Sequence, residues 1–171
     1  IILSDEDEIP NPNKIKLFNY KKYKFGIFLQ NLYYYKINIQ NLSEAKNGWP
    51  GSRIALKKNI KSFFKFRILK IKNKDEPFWK FYKEKSIQTI NKAGWHFTYL
   101  MTPKLISMKI KNSGHIEFNK KNYTSIKNIN YRIKNLIDPF DREANLKKVK
   151  IDKTFPEYIL RNKKKLKKWI S

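Results

Sequence analysis

Residues 5–8 read Asp-Glu-Asp-Glu, four adjacent carboxylates reached straight after the run Ile-Ile-Leu-Ser. Like charges at this spacing repel one another, so such a cluster stands at a cost unless a cation compensates. Asp5 and Asp7 are two positions apart, and a bending loop can aim both at one hard cation. Mg2+ or Mn2+ takes oxygen ligands, and a nucleotide diphosphate can supply the rest of the shell. The competing reading is a solvated acidic turn. What favours the metal is the strand-like apolar run before the acids, because ligand crevices of open α/β sheets lie at the carboxyl ends of strands.

His96, within Ala-Gly-Trp-His-Phe-Thr-Tyr-Leu, is the second place where chemistry can reside. A lone histidine in a β segment is commonly a satisfied core residue. Gly94 before the bulky Trp95, however, predicts a backbone bend that turns the imidazole out of the strand. His115 stands two residues before Glu117, and in an extended stretch both face the same way. There is no His-Glu-x-x-His, no Gly-x-Ser-x-Gly, no phosphate-binding P-loop and no Gly-x-Gly-x-x-Gly. Hydrolase, NTPase and dinucleotide readings therefore lack support.

The remainder of the chain is basic, with 39 Lys and Arg against 14 Asp and Glu and a net charge of +25. That balance suits phosphate backbones, but only Arg53, Arg67, Arg132, Arg142 and Arg161 are arginines. Arginine supplies the bidentate contacts that dedicated phosphate and base readers favour, so a lysine-rich solvated surface is the simpler reading. A non-catalytic basic module binding nucleic acid or anionic glycan is the alternative function. With no cysteine, disulfides and thiolate metal sites are excluded. No apolar run approaches the roughly 20 residues that span a bilayer. Hydrophobic residues at 40% and aromatic ones at 15% argue for a packed core over a disordered chain.

The elements that must position these residues follow from pattern and punctuation. Ile1–Leu3 reads as the end of a buried strand of a parallel sheet, stopped by Pro10 and Pro12. Residues 13–24 read as a short helix from an asparagine cap, and 25–41 as one long aromatic strand or a hairpin arm. Gly48, Pro50 and Gly51 make 44–54 a loop. Apolar spacing predicts a helix over 52–72 and a charged aromatic loop over 73–85. Residues 86–101 read as a strand bent at Gly94. Thr102 caps a helix opening on Pro103, a second amphipathic helix ends before Pro139, and a third opens near Pro156. The sum is one α/β domain, residues 1–171, with a mixed sheet and flanking helices.

Four stretches in order, Ser-Asp-Glu-Asp-Glu-Ile-Pro-Asn-Pro from Ser4, Ala-Gly-Trp-His-Phe-Thr-Tyr-Leu-Met-Thr-Pro from Ala93, Asn-Tyr-Arg-Ile-Lys-Asn-Leu-Ile-Asp-Pro-Phe-Asp-Arg from Asn130 and the segment from Phe155, together resemble glycosyltransferase family 17. The resemblance spans essentially the whole chain. The stretch Ser-Gly-His-Ile-Glu-Phe-Asn looks like the smaller microbial and viral members, which implies a cytoplasmic setting. It implies a GT-A-like fold and inverting transfer of a sugar, N-acetylglucosamine from UDP-N-acetylglucosamine, to a glycan acceptor with Mn2+ or Mg2+. By resemblance Asp5 and Asp7 take the Asp-x-Asp role, Asp7 as the direct ligand of a metal bridging the diphosphate and Asp5 toward ribose or metal, with Glu8 beside it and His96 at the floor of the site in reach of the metal or diphosphate; Glu8 and His96 are counted among the catalytic residues. Ser4 stands where animal members carry another acid. Trp95 and Trp49 are candidates for sugar stacking or for the core. The base that deprotonates the acceptor is sought among Glu117, Glu84 and Glu76, with Glu117 favoured because it follows His115. A GT-A fold places its uridine-binding elements before the Asp-x-Asp strand, so the chain is expected to be the acceptor-side part of such a fold, with an exposed sheet edge and weak activity by itself.

Overall fold

The computed structural model describes residues 1–43, 47–70, 86–114 and 116–171. In chain order these form β1 (Ile2–Leu3), β2 (Glu8–Pro10), α1 (Pro12–Ile15), β3 (Phe25–Tyr34), β4 (Ile39–Asn41) and β5 (Trp49–Ala55). There follow α2 (Phe63–Arg67), β6 (Ile87–Ile90), β7 (Gly94–Thr98), α3 (Pro103–Lys111), α4 (Lys121–Thr124), α5 (Ile126–Asn135), β8 (Leu146–Lys148) and α6 (Glu157–Arg161). Short 3₁₀ turns lie at Lys57–Asn59, Ile116–Phe118 and Lys167–Trp169. The chain is mixed α/β, as its pattern predicts, and it packs as two units.

The first unit comprises Ile1–Asn31 and Asn47–His96. Its spine is β3, antiparallel to β5 on one side and parallel to β6 on the other, which makes the sheet mixed. β1 pairs antiparallel with β5, Ile2 facing Ile54, and ends the strand order. Ile1 and Ile2 are exposed, which corrects the expectation of a buried parallel strand. A three-residue apolar run carries no signal that separates a central strand from an edge with one neighbour. β5 is a second correction, because residues 49–55 were expected in a loop and the start of a helix. Pro50 is tolerated there because the β3–β5 register shifts between Ile27 and Leu29, where the ladder is already interrupted. The helix predicted over 52–72 shrinks to α2, opened by Ser62, whose Oγ accepts from the backbone N–H of Lys65 at 3.3 Å. Phe66 is its buried anchor, its ring 5.8 Å from that of Phe25. α1 is capped by Asn11, outside the 13–24 stretch expected to be helical, and runs only four residues, with Asn13 inside it. Phe18, Phe28, Ile90 and Ala93 form the core of this unit.

The second unit comprises Leu32–Lys46 and Phe97–Ser171, and it is described over 32–43 and from 97 on, residue 115 apart. Here the hairpin reading of 25–41 holds: Tyr33 faces Gln40, and β4 pairs antiparallel with β8. α3 starts on Pro103, as its sequence predicts, but Thr102 stands at the cap position without a side-chain hydrogen bond to the helix. The second amphipathic helix divides into α4 and α5, and α5 closes on Leu136 in the left-handed conformation, before Pro139. The third is short, α6 giving way to turns. Leu32, Tyr34, Tyr35, Ile39, Ile106, Ile110, Ile129 and Leu146 make its core. Among the described residues no helix is long and apolar enough to cross a membrane.

Candidate functional site

The acidic cluster occupies a turn closed by the Glu8 N–H on the Asp5 carbonyl, 3.1 Å, and leads into β2. β2 runs antiparallel to β7 with Glu8 opposite His96, Ile9 opposite Trp95 and Pro10 opposite Gly94. Gly94 is required by close approach: a Cβ there would collide with the Ile9 carbonyl oxygen and stand 3.0 Å from both Pro10 Cα and Gln30 Nε2. Side chains alternate along β7, so Trp95 and His96 point to opposite faces. Trp95 is buried and fills the core role weighed for it, whereas Trp49 is 37% exposed. The Trp49 ring meets the His96 ring edge-on, centroids 5.3 Å apart.

The four acids have separate fates. Asp7 Oδ1 lies 3.3 Å from His96 Nε2, with only 11% of the histidine side chain exposed. Asp5 is taken by Arg67 of α2, Nε to Oδ1 at 3.0 Å and Nη2 to Oδ2 at 2.9 Å. That bidentate contact raises the guanidinium's pKa further. Glu6 is exposed. Glu8 is buried at 8% exposure, and its Oε2 accepts from the Asp5 N–H at 3.3 Å and from Ser52 Oγ at 3.5 Å. Ser52 in turn accepts from Gln30 Nε2 at 2.8 Å and from Ser4 Oγ at 2.7 Å. Arg53, its Nη1 donating to the Gly51 carbonyl, has its pKa lowered by burial, against the pull of Glu8 and Asp5.

Sequence reasoning thus anticipated the meeting of Asp7 and His96 but placed Asp5 with them, and the structure turns Asp5 to Arg67 instead. Arg67, Ser52 and Gln30 were missed. Arg67 had no local signal, since its partner is remote in sequence. Gln30 had one: it is the first polar side chain inside the apolar run Phe-Gly-Ile-Phe-Leu, and a polar residue there demands buried partners. Glu117 is exposed on the Ile116–Phe118 turn of the second unit. His115, Glu76, Glu84 and the whole of the charged loop, 73–85, lie outside the described residues, as do 44–46 and 71–72.

Two points test whether this set suits a divalent cation. Ligands held at about 2.1 Å and a right angle lie about 3 Å apart, so an oxygen and a nitrogen 3.3 Å apart can share one cation. Among the described residues no group of three or more His, Asp or Glu is arranged around such a point. Asp7 and His96 could thus supply two ligands at most, and the rest of a cation's shell would have to come from substrate phosphate and water. His96 Nδ1 is buried without a partner among the described residues. Comparison with family models, with curated proteins and with solved structures finds no match for this chain.

Proposed function

We propose that the chain is a metal-dependent inverting glycosyltransferase moving N-acetylglucosamine from UDP-N-acetylglucosamine to a glycan. The observation that carries this reading is the approach of Asp7 Oδ1 to His96 Nε2. It brings together, from the acidic turn and from β7, two of the four stretches on which the resemblance to glycosyltransferase family 17 rests, in what we take to be a GT-A-like fold. Asp7 and His96 would hold Mn2+ or Mg2+, which when bound would neutralise the charge of the departing diphosphate. Glu8 and Ser52 fix the turn that presents Asp7, and Trp49 offers its exposed edge to a sugar ring. In the transfer the acceptor oxygen bonds to the anomeric carbon, the bond from that carbon to the diphosphate oxygen breaks, and UDP leaves. The acceptor's proton passes to a carboxylate, for which Glu117 is our first candidate and Glu76 and Glu84 the others.

Thermal unfolding with and without MnCl2 tests the metal reading independently of turnover. Manganese at ten times its dissociation constant should raise Tm by about 3–6 °C, and D7N should abolish the rise. No rise, or an equal rise in D7N, removes the proposal. DNA binding that falls steeply with salt and ignores D7N would favour the basic-module reading instead.

A further inference from the structure

The stretch from Lys57 to Lys70 contains no acid and presents Lys57, Lys58, Lys61, Lys65 and Lys70 to solvent. Interleaved with them are apolar side chains that the fold leaves outside: Phe63 is 59% exposed, Phe64 70% and Ile68 48%. Phe64 and Ile68 are four positions apart on one side of α2, while Phe66, on the other, is buried against Phe25. The helix is thus fixed to the first unit by one phenylalanine and holds two others outward. Arg67, bound to Asp5, is already spent.

We propose that this segment docks the protein on an anionic lipid surface. Its lysines complement lipid phosphates and carboxylates, and Phe63, Phe64 and Ile68 enter the boundary between headgroups and acyl chains. The composition separates this partner from single-stranded nucleic acid. Stacking on bases needs flat rings, which Ile68 lacks, and nucleic-acid surfaces favour arginine, whereas the charges here are lysine. Sites of this kind give reversible attachment, since one short segment inserts little apolar area. The inference is independent of the sugar-transfer reading, because none of the residues used belongs to the Asp7–His96 site.

Co-sedimentation of the whole chain with vesicles tests it. Vesicles of phosphatidylcholine with 30% phosphatidylserine at 0.1 M salt should retain the protein, pure phosphatidylcholine vesicles should not, and 1 M salt should release most of it. F63S/F64S should weaken retention about tenfold or more, and K61E/K65E likewise. All four side chains are exposed, so both variants should keep the wild-type circular dichroism and Tm. Equal retention on neutral vesicles, retention unaffected by either variant, or displacement of the protein from vesicles by a poly-dT oligonucleotide that F63S/F64S no longer binds would overturn the proposal.

Discussion

Asp7 and His96 depend on the carboxylate that follows Asp7 in the turn. Glu8 is buried and holds the Asp5 N–H, so the turn between them has one preferred form. E8A removes that acceptor and leaves Ser52 and the Asp5 amide without it, which should cost about 1–3 kcal/mol in urea unfolding; E8Q, which keeps an acceptor, should cost less. Asp5 separates metal ligation from ion pairing. Its partner is Arg67, in an exposed pair of the kind that adds little to stability, so D5N should leave Tm nearly unchanged and the manganese response intact. A manganese response lost in D5N would return Asp5 to the ligand set. H96Q should weaken manganese binding about tenfold or more by calorimetry, as removal of one of two protein ligands requires. At this scale the sequence was most legible where chemistry is local, as in the four adjacent acids. It was silent on Arg67, because nothing in the run Phe-Lys-Phe-Arg records an aspartate near the start of the chain.

The elements explain where pattern reading succeeds and where it fails. Caps and prolines act within a few residues, so the start of α3 at Pro103 and the end of α5 before Pro139 were readable. β5 was not, because Pro50 and Gly51 signal a loop and only pairing with β3 and β1 makes them a strand. Residues 52–72 show helical spacing, yet the first of them are spent in β5 and the turn after it, and tertiary pairing overrides a weak local preference. Gly94 belongs to this scale as well, since the β2–β7 ladder closes only if no side chain intrudes on Ile9. G94A should lower stability by about 2–3 kcal/mol in urea unfolding and, by parting Asp7 from His96, remove the manganese response. Retention of both would mean that the ladder does not position the pair.

Across the whole molecule the basic balance hides acids that matter, in the first unit at the turn and in the second beneath its aromatic core. There Asp138 binds Arg142 and stands against Tyr34, and burial with that carboxylate pushes the Tyr34 hydroxyl up to about 12. Burial drives Tyr35 higher still, its hydroxyl donating to the Ile137 carbonyl at 2.8 Å. Both folded values lie above the ordinary phenol value of about 10, so their contribution is whole below that pH and fades as pH rises from about 10 through 12. Urea unfolding from pH 9 to 12 should show this loss, and Y34F should flatten it relative to the wild type. The claim on which the functional account rests is that a bivalent ion sits between Asp7 and His96. The chain has two histidines, and H115Q leaves the ring signals of His96 alone in the proton spectrum. Substoichiometric Mn2+ should broaden those signals, and D7N should leave them sharp. Rings that stay sharp with manganese present, or that broaden equally in D7N, would contradict the account.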